Sequence, residues 1–412
     1  MSQPTAVSSR RFPGWRILGL AIVTAALTGP GQTIGVSVFV DHFIADLDLT
    51  RSTVSTAYLI GTLTAAFGLP IVGRQIDARG VRLGMTLIGT GFAIALALMS
   101  GVAGFVTLAA GFVLIRLFGQ GSLTLASTVA VTLWFRSRRG FVLGLLATGT
   151  GMLMSLVPVA SNAVIDAVGW RAAWLVLAGV IALTVIPIGW FGMINRPSDL
   201  GLEPDGGELG SGGLTTIDRS ATRGEAVRTP RFWILVAASS SVGMLATALN
   251  FHQISLLGDA GLTAGQAAAM FLPQFVGTAI AGVVFGWLSD RLTGRTLIPL
   301  SMGLLASTLL LAANLASGPT IVAYALTLGA AGGASRSVGS TLMPRWFGTD
   351  HIGSINGLST LVGVASTAVG PVAYSLARDF AGTYETASLV FVVLPVSVAA
   401  VAILGARRWL AP

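Results

Sequence analysis

Twelve stretches of this chain are apolar enough, and long enough, to cross a lipid bilayer, which takes roughly 20 residues of helix. They lie at 16–40, 53–73, 83–102, 105–134, 141–166 and 171–193, then at 232–257, 264–288, 296–316, 319–344, 353–377 and 386–406. Inside hydrocarbon every backbone N–H and C=O needs a partner, and a helix supplies one within its own segment. The expected class is therefore an all-α membrane protein. Composition agrees: of 412 residues, 53% are hydrophobic and only 10% charged, unlike a soluble domain. There is no Cys, which excludes disulfides and thiolate metal sites. No small-residue cleavage site follows the first apolar stretch, so it is expected to stay as a helix rather than act as a signal peptide.

The one long polar stretch, Asn195–Arg231, carries Pro197, Pro204 and a Gly/Ser run beginning at Gly206, and it reads as a flexible linker. It divides the chain into a six-helix bundle at 1–194, a linker at 195–231 and a second six-helix bundle at 232–412. The halves repeat. Trp134-Phe135 answers to Trp346-Phe347, Gly144-Leu145 to Gly357-Leu358, and Pro158 to Pro371. Two six-helix pseudo-repeats are what an alternating-access carrier requires, with its site at the midplane between them. All 24 basic residues are Arg and the net charge is +8. The arginines fall in short loops, so topology explains the excess and no nucleic-acid partner is expected. Placing both termini and the linker in the cytoplasm leaves only Arg51, Arg171 and Arg378 outside, the bias expected of an inner-membrane protein.

Two arginines break the pattern. Arg116 and Arg336 lie inside spanning segments, and no Asp or Glu lies at comparable depth. A guanidinium cannot shed its proton to escape burial, and each costs about 2.5–3.5 kcal/mol at a helix centre unless it meets water or a partner. With no protein anion available, an anionic substrate is the simplest partner. Arg336 sits in Gly332-Gly333-Ala334-Ser335-Arg336-Ser337, where small residues open space for a ligand; the alternative is snorkelling or bonding to backbone carbonyls. Arg116 supports a ligand role or a structural one equally. Through the repeat Arg116 aligns with Leu328, so the two arginines differ by about 12 Å along the helix axis at 1.5 Å per residue.

Two loops carry a common pattern. Gly73-Arg74-Gln75-Ile76-Asp77-Ala78-Arg79-Gly80-Val81-Arg82 follows the second span, and Gly286-Trp287-Leu288-Ser289-Asp290-Arg291-Leu292-Thr293-Gly294-Arg295 follows the eighth. Each holds a Gly for close helix approach, an Asp able to cap a neighbouring helix and arginines suited to the inner membrane face. Both resemble the signature loop of the major facilitator superfamily, with Ala78 where the family has Arg and one extra residue before Gly294. The resemblance implies that Gly73, Asp77, Arg79, Arg82, Gly286, Asp290, Arg291 and Arg295 govern conformational switching. Trp134-Phe135-Arg136-Ser137-Arg138-Arg139-Gly140, Gly169-Trp170-Arg171 and Arg196-Pro197 are similar to the monocarboxylate porter family, a subgroup that includes oxalate:formate exchangers. That resemblance implies carboxylate substrates bound by buried basic side chains. Within the superfamily, Arg116 stands where many members carry an Arg on the fourth helix.

Further candidate ligands are polar groups in apolar surroundings. Gln32 follows the Gly29-Pro30-Gly31 break, which frees backbone groups that must face a cavity or neighbours. Tyr58 could close over substrate or pack in the core. Asn250 and His252 are placed near the outer end of the seventh helix, with His252 the one proton acceptor near the membrane region. Gln120 and Gln274 complete the set. No paired carboxylates, metal spacing or nucleophile–base pair points to an enzyme, and no cofactor is expected. The sequence therefore predicts a secondary carrier, working as a monomer in the bilayer and moving a small organic anion by exchange or proton coupling. The rival reading, a multidrug or cation exporter driven by proton antiport, calls for a membrane-embedded acid.

Overall fold

The computed structural model describes residues 12–405 apart from 137, 207–219, 317 and 349–350, and apart from the side chain of Asp77 and the surroundings of Gly353. Arg10, Arg11, Arg219, Arg407, Arg408 and most of the linker's glycine run therefore lie outside the described residues. Twelve long helices follow in order. The first half comprises α1 (Gly14–Ser37), α2 (Arg51–Ile76), α3 (Ala78–Met99), α4 (Phe105–Trp134), α5 (Arg139–Val168) and α6 (Trp170–Gly192). The second comprises α7 (Pro230–Asp259), α8 (Ala264–Ser289), α9 (Gly294–Ala313), α10 (Pro319–Phe347), α11 (Ser354–Ala381) and α12 (Tyr384–Leu404). Among the described residues, eleven of these are apolar enough to span by composition. The exception is α10, which has the length at 29 residues but is diluted by Gly332, Gly333, Ser335, Arg336, Ser337, Gly339 and Ser340. It packs among α7, α8, α9 and α11, so its polar residues face protein and a cavity.

The halves meet at the end away from the linker. There the last turns of α1, Thr33–Ser37, lie against α7, and the Val157–Val168 part of α5 lies against Ala264–Ala269 of α8. Nearer the middle, the rings of Tyr58 and Phe251 join α2 to α7 with centroids 4.7 Å apart. At the linker end each flank of the linker is stitched to one half. The Asp205 carboxylate accepts from the Arg136 backbone N–H at 2.8 Å, and Ala221 N–H donates to the Phe347 carbonyl at 2.9 Å.

The sequence expects a polar loop between α2 and α3, but the structure carries helix through most of it, turning only at Gly80 with φ +82°. A Cβ there would meet the Asn195 side chain, and that same side chain accepts from the Arg82 N–H at 2.8 Å. Arg82 Nε donates to the Trp190 carbonyl at 2.7 Å while its guanidinium lies 5.0 Å from the Trp190 ring. The turn is thus pinned to the end of α6. Gly73 is half-buried and Arg79 exposed. In the second loop Arg291 folds over the Trp287 ring at 4.0 Å and Arg295 is exposed. Asp290 corrects the expectation of a capping carboxylate. It follows the last turn of α8 with its side chain exposed, and it bonds to no helix N-terminus among the described residues. Gly286 has open space beside it. The tie to this loop comes from Arg345 of α10, whose Nη1 donates to the Ser289 carbonyl at 3.4 Å.

Backbone contact between α8 and α10 sets where the C-terminal cavity forms. Gly329 and Gly333 of α10, and Gly277 of α8, each press against carbonyl oxygens of the other helix. Thr278 Oγ1 donates to the Gly329 carbonyl at 3.0 Å and Ser337 Oγ to the Gly282 carbonyl at 2.8 Å. Small residues at four-residue spacing allow such approach in a membrane, where van der Waals contact rather than hydrophobic burial draws helices together. A methyl at Gly329 has no room against Gln274, whereas Gly339 has open space. Gly329→Ala is expected to destabilise by about 1–3 kcal/mol through overpacking, and Gly339→Ala to leave stability within about 0.5 kcal/mol. Thermal unfolding of the two detergent-solubilised variants checks this; equal midpoints would refute the backbone-contact account.

Candidate functional site

Two cavities line the interior, one under each buried arginine. The larger, about 560 Å³, is walled by α7, α10 and α11, with Arg336 projecting into it beside Asn250, Ser335, Asn356 and Ser359. The smaller, about 220 Å³, is walled by α2 and α4 of the first half and by Val364 and Thr367 of α11, and it holds Arg116 and Gln120. One face of α11 serves both: Asn356 and Ser359 meet the first cavity, Val364 and Thr367 the second. Those pairs are eight residues apart, about 12 Å at 1.5 Å per residue, matching the offset the repeat assigns to the two arginines.

The arginines differ in circumstance. Arg116 is 3% exposed and already engaged. Its Nη1 lies 3.4 Å from the Gly31 carbonyl, and its guanidinium stands 4.7 Å from the Tyr58 ring. The Gly29–Gly31 break in α1 frees carbonyls, and Arg116 answers one of them. Gly31 fits because a Cβ there would meet the Ile115 carbonyl. On its own helix Arg116 opens a π-helical stretch, Arg116–Leu123, a widened turn that proteins often place at functional positions. Its Nε, buried, has no partner among the described residues. Arg336 is exposed to its cavity, and no hydrogen bond, ion pair or ring contact holds its side chain among the described residues. The small-residue stretch divides its work: Gly333 seals α10 to α8, while Gly332 and Gly339 leave the cavity open around the guanidinium.

The other predicted residues separate into groups. Asn250, expected near the outer end of α7, forms part of the large cavity wall and accepts from Gln274 Nε2 at 2.9 Å. Gln274 is thus behind the wall rather than in it. His252 corrects the substrate-ligand reading. Two residues on from Asn250, it faces roughly the opposite way at about 100° per residue. It is fully buried against Phe251, Tyr374 and Tyr384, with Nε2 3.1 Å from the Pro371 carbonyl, and it lines neither cavity. Tyr58 is fully buried too; its hydroxyl bonds with Thr33 Oγ1 at 2.6 Å and its ring supports Arg116, so it packs and positions rather than closing over a ligand. Gln32 bonds back to Thr28 Oγ1 at 3.1 Å within the α1 break. Gln120 lines the small cavity, its Oε1 without a partner among the described residues.

Sequence reasoning missed Asn356, Ser359 and Thr367 of α11. The signal exists: with Gly363 they recur at helical spacing on one face of an otherwise apolar segment, a polar stripe that must look onto protein or water.

If Tyr58 holds Arg116 in place chiefly through its ring, Tyr58→Phe keeps the ring and loses the hydroxyl with its Thr33 hydrogen bond, about 0.5–1.5 kcal/mol. Tyr58→Ala also loses the ring under the guanidinium and its packing on Phe112 and Phe251, about 3–5 kcal/mol. Denaturant unfolding in micelles reads the difference, and two equally destabilised variants would speak against a ring-borne role.

Comparison with known proteins places this arrangement. Residues 17–277 match the model of the Major Facilitator Superfamily. Monocarboxylate transporter 13 of Bos taurus is 26% identical over 382 residues, covering 92% of this chain and 85% of that protein. The oxalate:formate antiporter of Oxalobacter formigenes is 24% identical over 270 residues, covering 64% of this chain and 61% of that protein. Among solved structures, a bacterial homolog of the human lysosomal transporter Spinster, inward-facing and unoccupied, superposes with a TM-score of 0.74. It covers 97% of this chain and 98% of its own at 16% identity, a likeness of fold.

Proposed function

Since the chain belongs to the Major Facilitator Superfamily, and is a multi-pass transporter rather than an enzyme, we propose that it moves a small organic anion by alternating access, with Arg336 as the anion's ligand. The observation that carries this reading is the Arg336 guanidinium, projecting into a 560 Å³ cavity with no anionic side chain along its wall. A cation left so in a membrane interior needs either water or a counter-ion, and a carboxylate supplies two oxygens for its fork. Relatives named for monocarboxylate and for oxalate and formate transport support a carboxylate. Arg116, bonded to Gly31 and seated on Tyr58, is assigned a structural and coupling role first. The rival cation exporter loses support, since among the described residues no Asp or Glu lines either cavity.

In this reading the linker and both termini lie in the cytoplasm of an inner membrane, an orientation that the arginine distribution supports. With the halves closed together at the far end, the cavities are then reached from the cytoplasmic side. In this reading Gly73, Asp77, Arg79 and Arg82, with Gly286, Asp290, Arg291 and Arg295, act on the inward–outward equilibrium rather than on affinity.

Coupling follows from charge. Moving one anion into a negative interior costs about 2.3 kcal/mol per 100 mV. Among the described residues no carboxylate lines either cavity, and His252 lines neither, so anion exchange, or efflux down the potential, is favoured over proton symport.

Arg336→Gln is expected to abolish anion binding while the protein still folds, and Arg336→Lys to leave weak residual transport, the charge being kept and the fork lost. Uptake of a carboxylate series into proteoliposomes tests both, and wild-type transport by Arg336→Gln would sink the reading. Separately, vesicles loaded with buffer alone are expected to accumulate little carboxylate under an inward proton gradient, and vesicles preloaded with an anion much more. Robust accumulation without internal anion, abolished by a protonophore and by His252→Ala, would make the carrier a proton symporter.

A further inference from the structure

Resting on the anion-carrier reading, we infer that the substrate is a hydroxylated monocarboxylate of sugar-acid size, its carboxylate on Arg336 and its hydroxyls on the α7 and α11 walls. Three observations converge. The first is charge. Among the described residues Arg336 is the one charged residue lining the large cavity. Arg116 is engaged with Gly31 and Tyr58 and lies one cavity away, about 12 Å along α11. A second carboxylate on the same ligand would be desolvated with no cation facing it, which is strongly unfavourable.

The second observation is the state of the wall. Many hydroxyls of these spanning helices fold back on their own backbone, as Thr128 does on Thr124 and Ser241 on Ala237. In the large cavity Ser239 and Ser340 do the same, while Thr247, Ser335, Asn356 and Ser359 bond to nothing among the described residues. Asn250, whose Oδ1 is taken by Gln274, keeps its NH2 group for the cavity. An alkyl or aromatic tail would strand these groups, whereas a polyol chain offers each a donor or an acceptor. A site built to bond hydroxyls rejects analogues that lack them.

The third is size. The cavity, about 560 Å³, has room for far more than a few waters at about 30 Å³ each, so a six-carbon hydroxylated acid fits beside Arg336 with Thr247, Asn250, Asn356 and Ser359 as its polar neighbours.

The experiment is competition and direct uptake in proteoliposomes of the wild-type chain, preloaded in each case with the same unlabelled acid, with labelled gluconate, hexanoate, pyruvate and adipate. These probes separate hydroxylation, chain length and second charge. Gluconate is expected to have the lowest apparent KM, at least about tenfold below hexanoate and pyruvate, with adipate weakest. Asn356→Ala, and independently Ser359→Ala should the first not fold, are expected to raise the gluconate constant about tenfold and the hexanoate constant less, narrowing the preference. Arg336-dependent uptake that prefers pyruvate, hexanoate or adipate would overturn this inference and leave the anion reading standing. No Arg336-dependent uptake of any of the four would overturn both.

Discussion

A carbonyl freed in hydrocarbon has to find a donor, and much of the first half is arranged around one such debt. The Gly29–Gly31 break in α1 releases backbone oxygens, and Arg116 reaches across from α4 to the Gly31 carbonyl. That reach needs close approach of the two helices, which Gly31 permits against the Ile115 carbonyl. It also needs a surface to lay a buried guanidinium on, which the Tyr58 ring supplies at 4.7 Å. Tyr58 in turn touches Phe251 of α7. A helix break, a buried cation and the contact between the halves are thereby one connected object. Any rocking of one half against the other must slide or separate that ring pair.

The second half solves the same problem the other way. Its buried arginine is not absorbed by the backbone. Gly329 and Gly333 clamp α10 to α8, so α8 cannot close over the adjoining face, and Arg336 is left facing open volume with unpartnered hydroxyls and amides around it. The asymmetry matters for mechanism. The half with the satisfied arginine braces the interface, while the half with the unsatisfied one holds the place where a ligand can bind. Pseudo-symmetric folds need not have pseudo-symmetric sites, and here the two arginines align with non-equivalent positions in the repeat.

How much of this was legible in the sequence follows from range. Apolar length, the glycine-rich linker, the repeated Trp-Phe and Pro positions, the two signature loops and the depth of both arginines are local or periodic, and all could be read directly. The site could be read in part. Arg336 and Asn250 share a cavity as two of the named candidates. His252 does not, because a shift of two residues on a helix reverses its face, and only packing says which face looks inward. Asp290 reads as a cap by its type and place in the loop, yet α8 ends with that side chain in solvent, and the tie is made by Arg345 from another helix.

What the sequence determined alone is the class, the two-half organisation and the presence of two cations at membrane depth without acids to match them, because the membrane imposes those rules residue by residue. What only the tertiary structure decided is which cation is free. Whether Arg116 has a carbonyl within reach depends on a break 85 residues away in α1. Whether Arg336 has none depends on glycines that hold α8 and α10 together on the adjoining face. The same holds for Asn356 and Ser359, whose stripe on α11 acquires meaning once α7 and α10 stand across from it. A charge and its surroundings are separated along the chain and joined only by packing, so depth in the membrane could be read from the sequence and partnership could not.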